Sequence, residues 1–156
     1  MIILGIDPGT RRVGYGVIKA EGGKMEMLSA GLLDIKKKGV SDALSEIKNG
    51  VDTLISEFRP TLAGIEKIRF AKNKKTATGV SEARGVIMLS FGEHGLPFFE
   101  FYPNEIKSAV CGWGLADKKM VKKMVCLTLK KPGLSLIDDA TDALAIAIAA
   151  GVRKWN

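Results

Sequence analysis

The feature that most constrains the fold is a pair of short apolar segments, each of which ends in an acid. Residues 2–6, "IILGI", are followed by Asp7, and "TLAGI" is followed in the same way by Glu66. Such runs are typical of strands that are buried on both faces of a sheet. The Pro-Gly pair at residues 8–9 turns the chain directly after the first acid. The sequence therefore predicts a sheet in which carboxylates stand at strand ends.

The segments between and after these strands predict the element order βββαβαβααα. "RVGYGVIKA" and "MEMLSAGLLDI" complete a meander with the first strand, and Val40–Phe58 repeats apolar residues at helical spacing. A further strand is predicted over residues 96–102, and further helices over 77–95, 103–114, 117–131 and 138–155. This order favours an α/β fold with a five-stranded mixed sheet flanked by helices on both faces. The first and fourth strands are expected to be parallel neighbours.

Length and composition favour one soluble domain. The 156 residues, of which 46% are hydrophobic and 26% charged, are expected to form a single domain over residues 1–156. Two cysteines do not make a disulfide framework, and the only histidine is His94, so a zinc site is not expected. The sequence has neither a signal-peptide pattern nor a membrane span, so we expect a cytoplasmic protein with no membrane partner.

The charge distribution favours an anionic partner, and nucleic acid is the leading candidate. The formal net charge is +7. Lysine-rich clusters stand at residues 36–38, 72–75, 118–119, 122–123 and 130–131. In the helix predicted over 117–131, the lysines share one side, and the other side carries Met120, Val121, Met124 and Val125. The lysine side is either a solvated surface or a surface that binds phosphates.

A second pair of acids opens the last predicted helix. Asp139 and Asp142 are three residues apart and share one face, whereas Asp138 points roughly 100° away. Parallel pairing of the first and fourth strands would place Asp7 and Glu66 at the same end of the sheet, where ligands of open α/β sheets bind. Each acid alone is also typical of a turn or a helix cap, but the four together favour a site.

Four converging carboxylates repel one another and are costly to bury unless a cation neutralises them. Carboxylate oxygens suit Mg²⁺, for which Mn²⁺ can substitute. Two such ions about 3.5–4 Å apart bind both the attacking water and the leaving oxygen of a phosphodiester. Together with the lysine clusters, the acids therefore predict a metal-dependent phosphodiesterase site, with two ions in each active site.

Several sequence blocks, in order along nearly the whole chain, resemble those of one family. The blocks are "GIDPGTRRVGYGVI", "IEKIRFAKN", "ARG", "YPNEIKSAVCGWGLADKKMVKKMV" and "DDATDALAIAIA". They resemble the RuvC Holliday-junction resolvases, which are bacterial endonucleases with a ribonuclease H-like fold. The resemblance implies that Asp7, Glu66, Asp139 and Asp142 form a catalytic, metal-binding tetrad, and that Asp138 lies outside it.

The same resemblance implies an activity and a set of partners. The expected activity is the magnesium-dependent, symmetric nicking of two opposed strands of a four-way DNA junction, in homologous recombination and DNA repair. The expected assembly is a homodimer. The branch-migration proteins RuvA and RuvB are the implied protein partners.

Six side chains are candidate DNA contacts: Arg69, Phe70, Lys72, Lys107, Lys118 and Lys122. The resemblance implies that Lys107 and Lys118 lie near the scissile phosphate. After the catalytic glutamate, the family often carries two bulky apolar residues, including an aromatic that inserts at the junction centre; here the pair is Arg69 and Phe70. Phe70 is either this wedge, shifted by one position, or a core anchor. Arg69 either stacks on a base or contacts a phosphate.

Three other readings compete with a junction resolvase. The first is a fragment of an actin-like ATPase, because "DPGT" resembles a phosphate loop; the chain has no second glycine-rich loop and is too short for two lobes. The second is a ribonuclease H that acts on RNA–DNA hybrids, which the long lysine-rich helical block disfavours. The third is a DNA-binding module without catalysis, which the presence of all four acids disfavours.

Overall fold

The computed structural model describes residues 1–68 and 74–155. Its strands are β1 (Ile2–Asp7), β2 (Arg12–Glu21), β3 (Lys24–Asp34), β4 (Leu62–Glu66) and β5 (Phe98–Phe101). Its helices are α1 (Val40–Phe58), α2 (Lys74–Glu93), α3 (Pro103–Cys111), α4 (Lys118–Thr128) and α5 (Asp138–Trp155). All the predicted elements are present in the predicted order. The candidate DNA contacts Arg69, Phe70 and Lys72 lie outside the described residues.

The strands form one mixed sheet in the order β3-β2-β1-β4-β5. β1 pairs with β2 and β2 with β3 in antiparallel fashion, whereas β1 pairs with β4 and β4 with β5 in parallel fashion. The carboxyl ends of β1, β3, β4 and β5 therefore share one edge of the sheet. The predicted five-stranded mixed sheet and the parallel pairing of the first and fourth strands are confirmed.

Helices cover both faces of the sheet, as predicted. Alternate residues of β1 point to opposite sides because the side-chain period of a strand is two. Leu4 and Ile6 pack in one apolar cluster with residues of α1 and α2. Ile3 packs in the other cluster with residues of α3, α4 and α5. The sheet is thus the middle layer between two helical layers.

Helix α5 lies unusually close to the sheet because glycines of the strands leave room for its backbone. A Cβ atom added to Gly5 would stand 2.1 Å from the carbonyl oxygen of Ala143, and one added to Gly14 would stand 2.1 Å from the carbonyl oxygen of Asp139. At Gly64 an added Cβ would meet α5 side-chain and backbone atoms at 2.9 and 3.2 Å. These glycines fix where the first turns of α5 cross the strands.

Helix α4 buries a narrower apolar stripe than the sequence predicts. Val121 and Val125 are buried, as expected, and Leu129 just beyond the helix extends the stripe. Met120, which was expected on the apolar side, is 45% exposed. The stripe repeats every four residues and is centred on the valines, so Met120 falls at its margin and meets solvent. No helix in the described ranges has the length and apolar character needed to cross a membrane.

Candidate active site

The two acids that end β1 and β4 come together through strand register. Parallel pairing places Ile6 opposite Ile65, so Asp7 and Glu66 follow at the same edge of neighbouring strands. Each acid stands two residues after a glycine that α5 contacts, and residues two apart in a strand share a face. Asp7 and Glu66 therefore lie on the face of the sheet that α5 covers.

The second pair of acids comes from the first turns of α5. The backbone of Asp139 rests against Gly14 of β2, next to the strand that carries Asp7. Asp142 follows almost one turn later on the same side of the helix. The close approach between helix and strand therefore brings these acids toward the strand-end acids.

The pKa of the Asp7 carboxyl group reflects the closeness of the other three acids. Burial is the largest cause that raises the pKa of Asp7 to about 7, and the nearby negative charges of Glu66, Asp142 and Asp139 contribute to the same rise in that order. All three acids predicted as its companions thus act on its carboxyl group. The Lys118 ammonium opposes the shift. The structure brings together the four acids that the sequence singled out.

Two predicted lysines lie beside Asp142. Burial raises the pKa of the Asp142 carboxyl group, whereas the charges of Lys118 and Lys107 lower it. The Nζ atom of Lys118 lies 3.8 Å from Asp142 Oδ2 and 3.7 Å from Asp138 Oδ2. The side chain of Asp138 is 70% exposed and does not contribute to the pKa shift of Asp7, so it lies at the margin of the cluster.

The predicted contact Lys122 lines a cleft next to the acids. The cleft, of about 140 Å³, is bordered by Lys118, Lys119, Lys122, Asp138, Thr141 and Asp142. A larger cavity, of about 570 Å³, lies at the opposite end of the sheet around Lys24, Met25 and Lys130. None of the four acids borders the larger cavity. Each of the four acids keeps partial exposure to solvent at the edge of the sheet, which suits a substrate too large to be enclosed.

Arg12 is a member of the site that sequence reasoning missed. Its Nη2 atom lies 2.6 Å from Asp139 Oδ2, which is otherwise a buried oxygen without a hydrogen bond of regular geometry. Arg12 stands two residues before Gly14 and so shares its face of β2, the face that α5 contacts. The spacing R-x-G in "RVG" could have indicated that Arg12 lies on the same face as Gly14. It points to the acids only once Gly14 is known to contact α5.

Arg84 of α2 is a second residue that sequence reasoning did not place. Its Nε atom donates a 3.2 Å hydrogen bond to the backbone oxygen of Glu66, and its guanidinium forms an ion pair with Glu100 of β5. Arg84 therefore ties the end of β4 to β5. Sequence reasoning had only the block "ARG" in the family resemblance, which gave no role for the side chain.

The chemical type of the four acids suits a divalent cation, although their side chains are not arranged around an ion and two of them face cationic side chains. Carboxylates are the ligands that Mg²⁺ and Mn²⁺ prefer, and the raised pKa of Asp7 reflects negative charge that a dication would neutralise. Within residues 1–68 and 74–155, no three acidic, histidine or cysteine side chains are arranged to hold an ion. Arg12 on Asp139 and Lys118 near Asp142 are the cations that these carboxylates face instead.

The fold and the acid cluster define a class of protein. A five-stranded mixed sheet covered by helices on both faces, with acids at its carboxyl edge, is a ribonuclease H-like fold. The family model described as crossover junction endodeoxyribonuclease RuvC matches residues 3–150. The chain therefore belongs to the RuvC family, and the resemblance stated from the sequence is confirmed. Nucleases of this family are metal-dependent.

Relatives and solved structures agree with this assignment. A crossover junction endodeoxyribonuclease RuvC from Natranaerobius thermophilus is 44% identical over 149 residues, which cover 95% of this chain and 92% of that protein. The structure of Thermus thermophilus RuvC matches with a TM-score of 0.92 and 28% identity, over 99% of this chain and 96% of that chain. T. thermophilus RuvC in complex with a Holliday junction substrate matches with a TM-score of 0.90 and 25% identity, over the same shares, 99% and 96%.

Proposed function

We propose that this chain is a crossover junction endodeoxyribonuclease that resolves four-way DNA junctions by paired, symmetric nicking in homologous recombination and DNA repair. The observation that carries the proposal is the convergence of Glu66, Asp139 and Asp142 on the buried carboxyl group of Asp7, in a chain of the RuvC family. A ribonuclease H-like enzyme for RNA–DNA hybrids and a non-catalytic DNA-binding module are the alternatives, and the family match favours neither.

In this proposal, Asp7, Glu66, Asp139 and Asp142 are the catalytic acids and hold two Mg²⁺ ions, for which Mn²⁺ can substitute. When bound, such ions activate a water molecule and stabilise charge on the phosphodiester oxygens. The strands and α5 hold the acids at an open edge, so that a phosphodiester can approach them. The ion pair of Arg12 with Asp139 involves Oδ2, so Asp139 would bind an ion through Oδ1 unless the ion pair opens.

The lysines of α3 and α4 are proposed to bind the DNA backbone next to the acids. Lys107 and Lys118 act electrostatically on Asp142, so their charges are close enough to offset the negative charge of a phosphate that enters the site. Lys122 extends this basic surface along the cleft. Arg69, Phe70 and Lys72 are proposed as contacts at the junction centre and rest on the family resemblance.

The proposal includes a homodimer, because two opposed strands have to be cut. The outward side of α2 carries Leu89, which is 53% exposed, between Gly85 and Gly92, where an added Cβ would meet nothing within 4 Å. The two glycines beside the projecting leucine would allow a second copy of the helix to approach closely at this point. A cytoplasmic location and the partners RuvA and RuvB complete the proposal and rest on the family resemblance.

A cleavage assay tests the activity. Purified protein is incubated with Mg²⁺ and three substrates in parallel: a synthetic four-way junction, a matched linear duplex and an RNA–DNA hybrid. We expect paired nicks at symmetric positions in the junction alone. Cleavage of the hybrid alone would support the ribonuclease, and junction binding without cleavage, in Mg²⁺ or Mn²⁺, would support the non-catalytic module.

A matched pair of variants tests the acid cluster. Asp142→Asn and Asp138→Asn remove the same charge from neighbouring positions, and both carboxylates lie within 4 Å of Lys118 Nζ. We expect Asp142→Asn to slow nicking by more than about 100-fold, since even residues that only support metal ligands cost 10–100-fold. Asp138→Asn should nick within about threefold of the wild-type rate, and both variants should still bind the junction in EDTA. Equal losses in the two variants would remove Asp142 from the tetrad.

A further inference from the structure

The lysine cluster at residues 36–38 lies at the same edge of the sheet as the acids. It follows β3, whose carboxyl end shares that edge with the ends of β1 and β4. β3 is two strands away from β1, and neighbouring strands are about 4.8 Å apart, so Leu32, which is level with Asp7, lies roughly 10 Å from it. Lys36 is four residues further along at about 3.3 Å per residue, so the cluster begins roughly 16 Å from the position of Asp7. This distance is within reach of the DNA backbone on either side of a phosphodiester held at the acids.

Side chains hold the backbone of this segment on two sides. Arg11 donates from Nη1 to the carbonyl oxygen of Lys37 and from Nη2, at 3.3 Å, to that of Lys38. Glu46 of α1 accepts from the backbone amides of Lys36 and Lys37 through Oε2, both at 3.0 Å. The backbone amide of Ile35 also donates to the carbonyl oxygen of Arg11, at 2.9 Å. A loop that is held in this way loses little conformational freedom when it binds.

The ammonium groups of the loop are available for a ligand. Lys36, Lys37 and Lys38 are all exposed, and no acidic side chain in the described ranges lies within 4 Å of their nitrogens. Two acids, Asp34 and Asp42, stand on either side of the loop, and the carboxylate of Glu46 is occupied by backbone amides. The loop therefore presents its positive charge to solvent.

The loop also approaches the site from a different side than the lysines already described. Ile35 packs with α1 residues in the cluster under α1 and α2. Lys107 and Lys118 belong to α3 and α4, which cover the other face of the sheet. The edge that carries the acids thus has positive charge on both sides, one group from each helical layer.

We propose that the loop of residues 35–39, held by Arg11 and Glu46, is a second phosphate-binding surface for DNA. The loop contacts the DNA backbone from the α1 side of the acid edge, while Lys107, Lys118 and Lys122 contact it from the α4 side. The inference rests on the proposed function in one respect, namely that the polyanion at the acid edge is DNA. It assigns a contact to residues that neither the acid cluster nor the family resemblance accounts for.

Junction binding in EDTA tests the loop without any contribution from cleavage. The variant combines Lys36→Gln, Lys37→Gln and Lys38→Gln, and the control combines Lys24→Gln, Lys130→Gln and Lys131→Gln at the opposite end of the sheet. Fluorescence anisotropy with a labelled four-way junction is measured over a range of KCl concentrations. We expect the loop variant to bind about 10-fold more weakly at low salt and to lose about 2–3 from the salt slope, since each phosphate contact contributes about 0.9.

The control removes the same number of charges and should keep its salt slope and bind within about threefold of wild type. Equal losses in the two triple variants would mean that only net charge matters, and would overturn the proposal. In one outcome, the wild type fails to nick the junction while the two triple variants still differ in junction binding. That result would contradict the proposed nuclease activity and would support the proposed DNA-binding loop. Failure of the proposed function and failure of the loop are therefore distinguishable.

Two substitutions at Glu46 separate the geometry of the loop from its charge. Glu46→Ala and Glu46→Gln both raise the net charge by one, but only glutamine keeps a side-chain oxygen that can accept from the Lys36 and Lys37 amides. We expect Glu46→Ala to bind the junction several-fold more weakly than Glu46→Gln despite their equal charge. Equal or tighter binding by Glu46→Ala would show that the held backbone is irrelevant. Circular dichroism on both variants checks that α1 remains folded.

Discussion

At the scale of single residues, the strongest consequence concerns the buried carboxyl group of Asp7. Burial, together with the neighbouring acids, raises its pKa from 3.8 to about 7. Below about pH 3 the group is protonated in both the folded and the unfolded chain. Between pH 4 and 7 the folded chain holds more protons, so the free energy of unfolding falls as pH rises. Above pH 7 the full cost is present, on the order of 4 kcal/mol.

Asp7→Asn should therefore stabilise the metal-free protein at neutral and alkaline pH while abolishing cleavage. In EDTA at pH 8, we expect its free energy of unfolding to exceed that of the wild type by up to about 4 kcal/mol, with the difference vanishing below about pH 3. Urea denaturation at a series of pH values measures this difference. Asp138→Asn removes a charge from a side chain that is 70% exposed and should change stability by less than about 0.5 kcal/mol. A destabilised Asp7→Asn at pH 8 would contradict the assigned cause of the shift.

At the scale of elements, the contact between β1 and α5 decides whether the acids converge. Gly5 allows the backbone of α5 to touch the strand, and α5 carries both Asp139 and Asp142. A methyl group at Gly5 would meet the carbonyl oxygen of Ala143 at 2.1 Å, which is backbone and cannot rotate away. The helix would have to move off the sheet, and its acids would move with it.

We therefore expect Gly5→Ala to lower the free energy of unfolding by about 2 kcal/mol or more, as overpacking does. Its nicking rate should fall as well, because the acids of α5 are displaced. Gly31→Ala is the matched control, since it is also in a strand but meets only the far end of the Tyr15 side chain, at 3.0 Å. Its effect should stay below about 1 kcal/mol. Thermal and urea denaturation measure both variants, and equal effects would contradict the assigned role of Gly5.

At the scale of the whole molecule, the proposed function has the acid edge of one chain meet one strand of a junction, so that symmetric cutting would require a second chain. The proposed interface is the outward side of α2 around Leu89. The two acid edges then belong to different copies, and their separation is set by the helix pair. In this proposal, the exposed face of α2 sets the distance between the two active sites, and that distance has to match the two cleavage positions in the junction.

Leu89→Glu should convert the proposed dimer to a monomer, because it would place two like charges at the centre of the proposed helix pair. Sedimentation velocity at micromolar concentration measures the change. Leu127→Glu is the control, since Leu127 is 58% exposed on α4, away from α2. We expect it to remain dimeric. A wild-type chain that sediments as a monomer, or a Leu89→Glu variant that stays dimeric, would contradict this interface.

The sequence by itself determined the elements, their order and the identity of the candidate acids. Local periodicity sufficed for α1, whose predicted bounds are those observed, because an amphipathic face depends on residues within a few turns. The segments that end in Asp7 and Glu66 were recognisable as buried strands for a similar reason. The burial of Met120 was mispredicted because the exact centre of the apolar stripe of α4 depends on the elements that cover the helix.

Only the tertiary structure decided which groups the acids meet. The ion pair of Arg12 with Asp139 and the hydrogen bond from Arg84 to the backbone of Glu66 join residues far apart in the chain, and no local pattern encodes them. The hydrogen bonds by which Arg11 and Glu46 hold the loop could not be predicted from the sequence "KKK" either. Local preferences are set by neighbours in sequence, whereas the pKa of Asp7 and the pairing of its companions are set by the backbone contact of α5 with the strand glycines.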